Sequence, residues 1–430
     1  MIKSFFDLSK KFPCEVHYDD KNSLDIVRYD NTLILDLFDT FASICYIDFY
    51  NKRNEDSYKT IEVEVEVVNI EIMKLIEDKL SNLIRFMTNG ENWEIKFKQT
   101  EKKHLDINMK QLGLFKSEFN SVALLSGGLD AMAGASQELN NNTLYVTYAT
   151  NDPEVSKAKK TFDVIKKSSP NSEHVIVEKK QFAIKKHSTQ RTRSLIFLGS
   201  ALLYADYYEV PIIKIYENGI MSLNPTFEFR RKVTKTTHPR TLFYINDILK
   251  TVGINITVIN PFCFMTKAEV IDLIPNEWID LLKNSKTCSK MPGSKGFQNR
   301  EKSGVCHCGI CTACILRQIS ICSSLKNSLD CKYILPYNIS SYDEIVKYEK
   351  LNGVQKSGKI VENISLYKFI EKKSLLQYYS EFKTRIDNGT IFSYLELSPR
   401  ILGDKSDYEN YIKMLSKFSD EIDTYITQQK

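Results

Sequence analysis

Three groups of residues in this 430-residue chain have the types and spacing of sites that bind or react. The first is the turn Ser126–Asp130, which reads S-G-G-L-D and could hold an anion. The second is the segment Thr266–Glu269, which places a lysine at the start of a predicted helix. The third is a set of thiols with metal-ligand spacing: Cys288, Cys308, Cys311 and Cys314. The rest of the chain must form the elements that position these groups.

The glycine turn has the pattern of a phosphate-binding loop. Apolar residues 122–125 predict a buried strand, and apolar residues at helical spacing follow the turn. A helix N-terminus attracts phosphate through its unpaired N–H groups and its dipole. Gly127 and Gly128 lack Cβ atoms, so their backbone can approach an anion closely. Ser126 can donate a hydroxyl, and Asp130 can cap the helix or reach a phosphate through magnesium. The alternative is an ordinary strand-to-helix turn.

The second group predicts a capped helix with an unusual charge. Thr266 and Glu269 are spaced as a capping box. Lys267 then lies in the first turn, where the helix dipole disfavours a cation. A cation in that place indicates a nearby anion.

The cysteines predict a metal centre. Thiolates two residues apart can bind one ion, and four sulfurs close a tetrahedron around zinc with no position left for water. The predicted ligands are Cys288, Cys308, Cys311 and Cys314, and Cys306 or His307 could replace the first of them. An iron–sulfur cluster is the main alternative.

Residues 116–330 alternate between strands and helices, which predicts an α/β fold with a parallel sheet and helices on both sides. Further strands are predicted at residues 144–148, 174–177, 211–216 and 256–259, with a buried helix at 194–208. Ligands of such sheets bind beyond the carboxyl ends of the strands. The turn at 126–130, residues 147–149 and residues 217–219 should therefore surround one crevice, with adenine near the end of the second strand.

Basic and polar residues provide candidate contacts for an anionic substrate. Arg193, at the start of the buried helix, is predicted to contact phosphate because a guanidinium binds such groups through two parallel hydrogen bonds. A polar, basic stretch follows residue 217 and is predicted to be a functional loop, with an ordinary surface loop as the alternative. The candidate substrate contacts in it are Asn218, Gly219, Arg230, His238 and Arg240.

The two ends of the chain show no catalytic pattern. Residues 1–115 are predicted to be a β-rich domain with strands at 33–37, 61–67 and 93–97 and a helix at 72–86. This domain is either a packing module or a platform for a partner protein. Residues 331–430 are predicted to be a helical extension, with helices at 367–379 and 408–418.

The composition restricts the class of partner. A net charge of +5 is too small for this length to argue for nucleic acid, and no apolar run is long enough to span a membrane. Charge interrupts the first residues too early for a secretory signal, so the expected location is the cytoplasm. Cysteines clustered in such a chain favour a metal site over disulfides.

The three motifs, in this order and spacing, resemble those of the QueC family of 7-cyano-7-deazaguanine synthases, which are PP-loop ATP pyrophosphatases. The matching features are S-G-G-L-D at 126–130, P-F-x-x-x-T-K-A-E at 261–269 and the cysteines at 288–314. The resemblance covers about half of the chain. One departure is Ala131, where most of the family has serine, which removes a hydroxyl from the loop.

The resemblance implies a fold of the adenine nucleotide alpha hydrolase type and a reaction that uses ATP, Mg²⁺ and Zn²⁺. The enzymes adenylate 7-carboxy-7-deazaguanine, an amine displaces AMP to give an amide, and a second adenylation yields the nitrile. The resemblance implies catalytic roles for Asp130, Lys267 and Arg193. It places ATP against Ser126, Gly127, Gly128, Leu129, Asp130 and Tyr148.

The added domain, Ala131 and the basic loop resemble more closely the longer QueC-like proteins of antiphage systems, such as the QatC type and those of certain CBASS operons. Those relatives imply a partner protein whose amine is the acceptor. The alternatives are synthesis of the nitrile from ammonia, a tRNA-modifying PP-loop enzyme with an iron–sulfur cluster or persulfide, and a non-catalytic binding module.

Overall fold

The computed structural model describes most of the chain. The residues described are 14–15, 26–28, 30–50, 60–101, 108–110, 118–149, 152–179, 191–225, 234–285, 287–288, 305–335, 338–339, 341–352, 358–402 and 405–428. Arg230, one of the candidate substrate contacts, lies outside these ranges. Among the described residues, no helix is both long enough and apolar enough to cross a membrane.

The N-terminal region contains helices as well as strands. Its elements are β1 (Cys14–Glu15), β2 (Ile26–Arg28), α1 (Thr32–Tyr50), β3 (Ile61–Val67), α2 (Ile70–Lys74), α3 (Glu77–Met87), β4 (Trp93–Gln99) and β5 (Asn108–Lys110). The strands predicted at 61–67 and 93–97 are confirmed. They pair with each other in parallel, and α2 and α3 connect them along the chain. In both, buried apolar residues alternate with charged ones.

The strand predicted at residues 33–37 is wrong, because α1 occupies this segment. Alternate leucines suggested a strand, but Ile34, Leu37, Phe38 and Phe41 recur at helical spacing and are all buried. A helix that is apolar on most of its surface must be buried on more than one side. The description of this region as β-rich is corrected accordingly.

The middle region supplies the central sheet. Its elements are β6 (Ser121–Leu124), α4 (Leu129–Gln137), β7 (Thr143–Ala149), α5 (Asp152–Ser168), β8 (Glu173–Lys179), α6 (Ser194–Tyr207), β9 (Ile212–Lys214), α7 (Gly219–Leu223), α8 (Pro239–Thr251), β10 (Thr257–Ile259), α9 (Lys267–Asp272), α10 (Ile279–Asn284), β11 (Val305–His307) and α11 (Thr312–Ser323). The strands and the buried helix predicted here are confirmed.

The central sheet has the strand order β1-β8-β7-β6-β9-β10. The last five strands are parallel, and β1 adds to the edge in the antiparallel sense. Helices cover both faces: Val122 of β6 packs with α6 in one apolar cluster, while its neighbour Ala123 packs with α4 in another. The predicted α/β class with a parallel sheet is confirmed, and the order is compatible with a Rossmann-like fold.

The C-terminal region is helical, as predicted. Its elements are β12 (Lys332–Tyr333), α12 (Tyr342–Asn352), α13 (Gly358–Asp387), α14 (Pro399–Leu402) and α15 (Lys405–Thr427). Helices α13 and α15 bury several aromatic residues, among them Tyr379, Phe382 and Phe418, against α7 and α11 in a third apolar cluster. The N-terminal region, by contrast, shares the cluster on the α6 face of the sheet. Both regions are therefore continuous with the core that surrounds the sheet.

Candidate functional site

A cavity of about 410 Å³ opens where the strand order of the sheet reverses, between β6 and β9. This reversal is where open α/β sheets bind ligands, because the loops that follow the two strands diverge there. The cavity lining includes residues of the first two motifs, which are Ser126, Gly128, Leu129, Asp130 and Lys267. It also includes Thr287 and Ala313, the chain neighbours of Cys288 and Cys314.

The glycine turn has the backbone that only glycine adopts easily. Gly127 has a φ of +63°, in the left-handed region. A Cβ atom there would lie 2.9 Å from Cγ of Lys157, which packs against the turn. Gly128 then precedes α4, and its N–H donates to Oγ of Ser126 at 3.2 Å. The turn therefore brings the start of α4 to the cavity wall.

Asp130 connects the turn to the two other sides of the site. Its Oδ1 accepts a hydrogen bond from Nζ of Lys267 at 2.8 Å, and its Oδ2 accepts one from Nδ2 of Asn218 at 2.8 Å. Both members of the ion pair are largely buried, with 8% and 14% of their side chains exposed. The predicted capping box between Thr266 and Glu269 is present and fixes the start of α9. The anion that Lys267 contacts is therefore the carboxylate of Asp130.

A second carboxyl group, Glu217, also lines the cavity, shortly after β9. The hydroxyl of Thr237 donates to its Oε2. Burial, aided by the Asp130 carboxylate, raises the pKa of Glu217 to about 7, although Thr237 and Lys267 act in the other direction. Residues 217–219 were expected at the crevice, but no pattern in the sequence distinguished this glutamate from its neighbours.

Two cations and one aromatic residue complete the polar wall. Arg193, at the start of α6, lines the cavity, with its guanidinium 5.0 Å from the ring centre of Phe197. Tyr148, at the end of β7, lies on the same wall. Lys157 of α5 also lines the cavity, although no motif predicted it there. It lies among several lysines on one helix, so nothing in the pattern distinguishes it.

The four predicted cysteine ligands lie together. The Sγ atoms of Cys288, Cys308, Cys311 and Cys314 are all within 4.8 Å of one another. The closest separations are 3.3 Å, 3.7 Å and 3.9 Å. Four thiolates bound to one zinc ion at the usual bond length are about 3.8 Å apart, so this donor set fits a closed, tetrahedral zinc site.

His307 is not part of the cysteine cluster. The backbone N–H of Thr287 donates to Nε2 of His307 at 3.0 Å, and Nδ1 lies 2.7 Å from Sγ of Cys331. Because Nε2 accepts a hydrogen bond, the ring proton lies on Nδ1. This bond fixes Thr287, which lies in the cavity wall next to Cys288. The side chain of Cys306, the other alternative ligand, is outside the described part of the chain.

Arg317 anchors the metal-binding segment to the rest of the domain. Its fully buried guanidinium pairs with Asp330 at 2.7 Å. It also donates to the carbonyl oxygens of Ser285 and Leu282, at the end of α10. The guanidinium thus joins the helix after the cysteines to the segment that leads to Cys288.

Four predicted substrate contacts have other surroundings. Asn218 is buried and caps α7 while it holds Asp130, and Gly219 donates its N–H to Met265. His238 is buried, with its ring nitrogens bonded to the Leu395 carbonyl and the Arg240 N–H. These three are held by contacts within the protein and are not among the residues that line the cavity, so their contact with substrate stays a prediction.

Arg240 is also away from the cavity. It lies in α8, not in a loop, and lines a separate cavity of about 600 Å³ between α3, α8 and the segment at 396–401. Its guanidinium stacks on Phe86 at 4.7 Å. Pro239 explains the helix, since proline suits the first helical position.

Comparisons with protein-family models, with curated proteins and with solved structures give no match to this chain. The fold and site therefore define a class only: an α/β protein with a parallel sheet, a cavity at the strand-order reversal and a four-cysteine cluster able to hold a metal ion such as zinc.

Proposed function

We propose that this chain is an ATP-dependent, AMP-forming ligase of the PP-loop type, which adenylates a carboxylate of the 7-carboxy-7-deazaguanine class and joins it to an amine. The observation that supports this most is that one cavity is lined by residues of the first two motifs and by the chain neighbours of Cys288 and Cys314. The motifs that resemble the QueC family thus meet in space as well as in order.

The cavity offers what pyrophosphate binding requires. The start of α4, where a helix leaves N–H groups without helical partners, lies at the cavity wall, and Lys157 and Arg193 add positive charge. Electrostatic groups fixed before the reaction stabilise the charge that develops when the α–β phosphate bond breaks. The volume is within the range of small-molecule sites.

Adenylation makes chemical sense for this site. A carboxylate is a poor electrophile, whereas its mixed anhydride with AMP has a good leaving group. The intermediate hydrolyses easily, so it must be shielded from water. The apolar wall of Leu125, Val146 and Leu316 would provide this shielding.

The acceptor in this proposal is an amine of a partner protein, because the chain carries regions at both ends that a reaction with ammonia would not require. Ammonia is the alternative acceptor, and with it the reaction would continue to the nitrile. Mg²⁺ would neutralise the phosphate oxygens of ATP, as it does for phosphoryl groups generally.

The test is to incubate the protein with ATP, Mg²⁺ and 7-carboxy-7-deazaguanine, with ammonium chloride or a candidate partner protein as acceptor. We expect equal amounts of AMP and pyrophosphate, and a mass increase of the partner. Asp130→Asn should lower pyrophosphate release, whereas Asp247→Asn, which removes another lysine-paired carboxylate away from the cavity, should not. Absence of pyrophosphate with every acceptor would refute the proposal.

A further inference from the structure

Glu217 is the carboxyl group of the cavity for which neither the motifs nor the resemblance provides a role. It follows β9 and lines the cavity together with residues of the glycine turn. We propose that Glu217 is the general base that removes a proton from the attacking amine. This inference rests on the function proposed above and adds a catalytic residue to it.

The backbone of Glu217 is fixed from both sides. Oδ1 of Asn260 accepts from its N–H at 3.2 Å, and Nδ2 of Asn260 donates to its carbonyl at 2.8 Å. The Thr237 hydroxyl holds Oε2. Among the described residues, Oε1 has no hydrogen-bond partner, so one oxygen of a well-positioned carboxyl is left for a ligand in the cavity.

The other ionisable groups of the cavity are less suited to this role. They are Asp130, Tyr148, Lys157, Arg193, Tyr216 and Lys267. Both oxygens of Asp130 are occupied, by Lys267 and by Asn218. The hydroxyl of Tyr216 donates to Glu138, away from the cavity. The cations suit phosphate, whereas Glu217 forms no ion pair within the described part of the chain.

The proton balance of the step is simple. The amine nitrogen attacks the carbonyl carbon of the acyl adenylate, so a C–N bond forms and the C–O bond to the phosphate of AMP breaks. AMP leaves with the electron pair of that bond, and one N–H proton passes to Glu217 and then to water. A base with a pKa of about 7 suits this transfer near neutral pH, because it is partly ionised and still binds a proton readily.

The test compares two nucleophiles in single-turnover reactions with Glu217→Gln. Ammonium has no lone pair, so it must lose one proton before attack and a second as the C–N bond forms. Hydroxylamine is already neutral at pH 7, and its higher reactivity lets it trap acyl adenylates without a base. We expect the ratio of amide to hydroxamate to fall about a hundredfold in the variant. An unchanged ratio would overturn the proposal, whether both products fall together or neither falls.

Thr237→Val provides a matched control. The hydroxyl of Thr237 lowers the pKa of Glu217. Loss of this hydroxyl should therefore raise the pKa of Glu217 and shift the rise in the rate of amide formation to higher pH. The rate of amide formation by Thr237→Val should recover above pH 8. In Glu217→Gln the rate of amide formation should stay low relative to the rate of hydroxamate formation. If the two variants had the same pH profile, Glu217 would not be the base. Failure of the proposed function would look different, because the unmodified protein would then give neither product.

Discussion

Asp130 accepts hydrogen bonds from two distant parts of the chain, Lys267 on α9 and Asn218 at the start of α7. The helix-dipole argument indicated that Lys267 faces an anion, and the structure provides one within the protein. A buried ion pair of this kind costs desolvation energy to form, and removal of one partner leaves the other charge buried without compensation.

We therefore predict that Lys267→Met lowers the free energy of unfolding by about 3 kcal/mol. Lys417→Met removes a lysine whose pair with Glu269 is exposed, with 59% of the lysine side chain accessible, and should change it by less than about 1 kcal/mol. Urea denaturation measures both values. Equal losses of stability in the two variants would mean that the Lys267–Asp130 pair is no more important for stability than an exposed ion pair.

Because the ring of His238 is buried, we expect the folding stability of the protein to depend on pH. Burial lowers its pKa to about 3 in the folded protein, whereas an unfolded histidine has a pKa near 6.5. The unfolded state therefore takes up the proton first, so this contribution is complete above about pH 6.5 and is lost as the pH falls towards 3.

Asparagine at position 238 can also cap α8 but does not titrate in this range. We predict that the unfolding free energy of His238→Asn falls less steeply than that of the unmodified protein between pH 6 and pH 4, by about 1.4 kcal/mol per pH unit. Denaturation curves at several pH values measure the slope. Equal slopes would mean that His238 is protonated in the folded state.

At the scale of elements, the glycine turn depends on a close approach between Gly127 and Lys157 of α5. Gly127 and Gly253 both have positive φ, but only at Gly127 would a Cβ atom meet a neighbour, Lys157. Gly127→Ala should therefore cost more than the about 1 kcal/mol of backbone strain expected for Gly253→Ala. Pyrophosphate release should fall about a hundredfold in the first variant only. Equal effects on release would show that the turn does not bind the nucleotide.

The cysteine segment is the second element that can be tested alone. We predict one zinc ion per chain and no iron by metal analysis. Cys314→Ser should lose the ion, because a fourth thiolate closes the tetrahedron. Cys322→Ser, on the same helix but outside the cluster, should retain it. Iron in the purified protein would favour the tRNA-modifying alternative.

At the scale of the whole molecule, the C-terminal helices pack on α11, the helix that carries Cys314 of the cysteine cluster. Leu415 of α15 is 1% exposed in the cluster that includes Leu316, whereas Ile412 is 40% exposed. Leu415→Ala should lower the free energy of unfolding by about 3 kcal/mol, and Ile412→Ala by less than about 1 kcal/mol. Thermal unfolding measures both, and similar losses would mean that α15 is not docked as described.

The N-terminal region has the same relation to the other face of the sheet. Phe38 and Phe41 of α1 belong to one apolar cluster with Leu195 and Leu198 of α6. The region thus covers α6, which begins beside Arg193 in the cavity wall.

The sequence by itself determined the alternating strands and helices of the central domain, the capping box at Thr266 and the four clustered cysteines. These features depend on neighbours within a few residues along the chain, or on a ligand set with a fixed spacing. Local periodicity failed at residues 33–37, where burial on several sides makes a helix resemble a strand.

Only the tertiary structure decided which polar residues share the cavity. Lys157, Glu217 and Thr287 come from three separate segments, and His238 and Arg240 are directed elsewhere although their residue types suited a substrate site. The reason is that the strand order brings together the ends of β6 and β9, and a strand order depends on contacts between residues far apart in the chain.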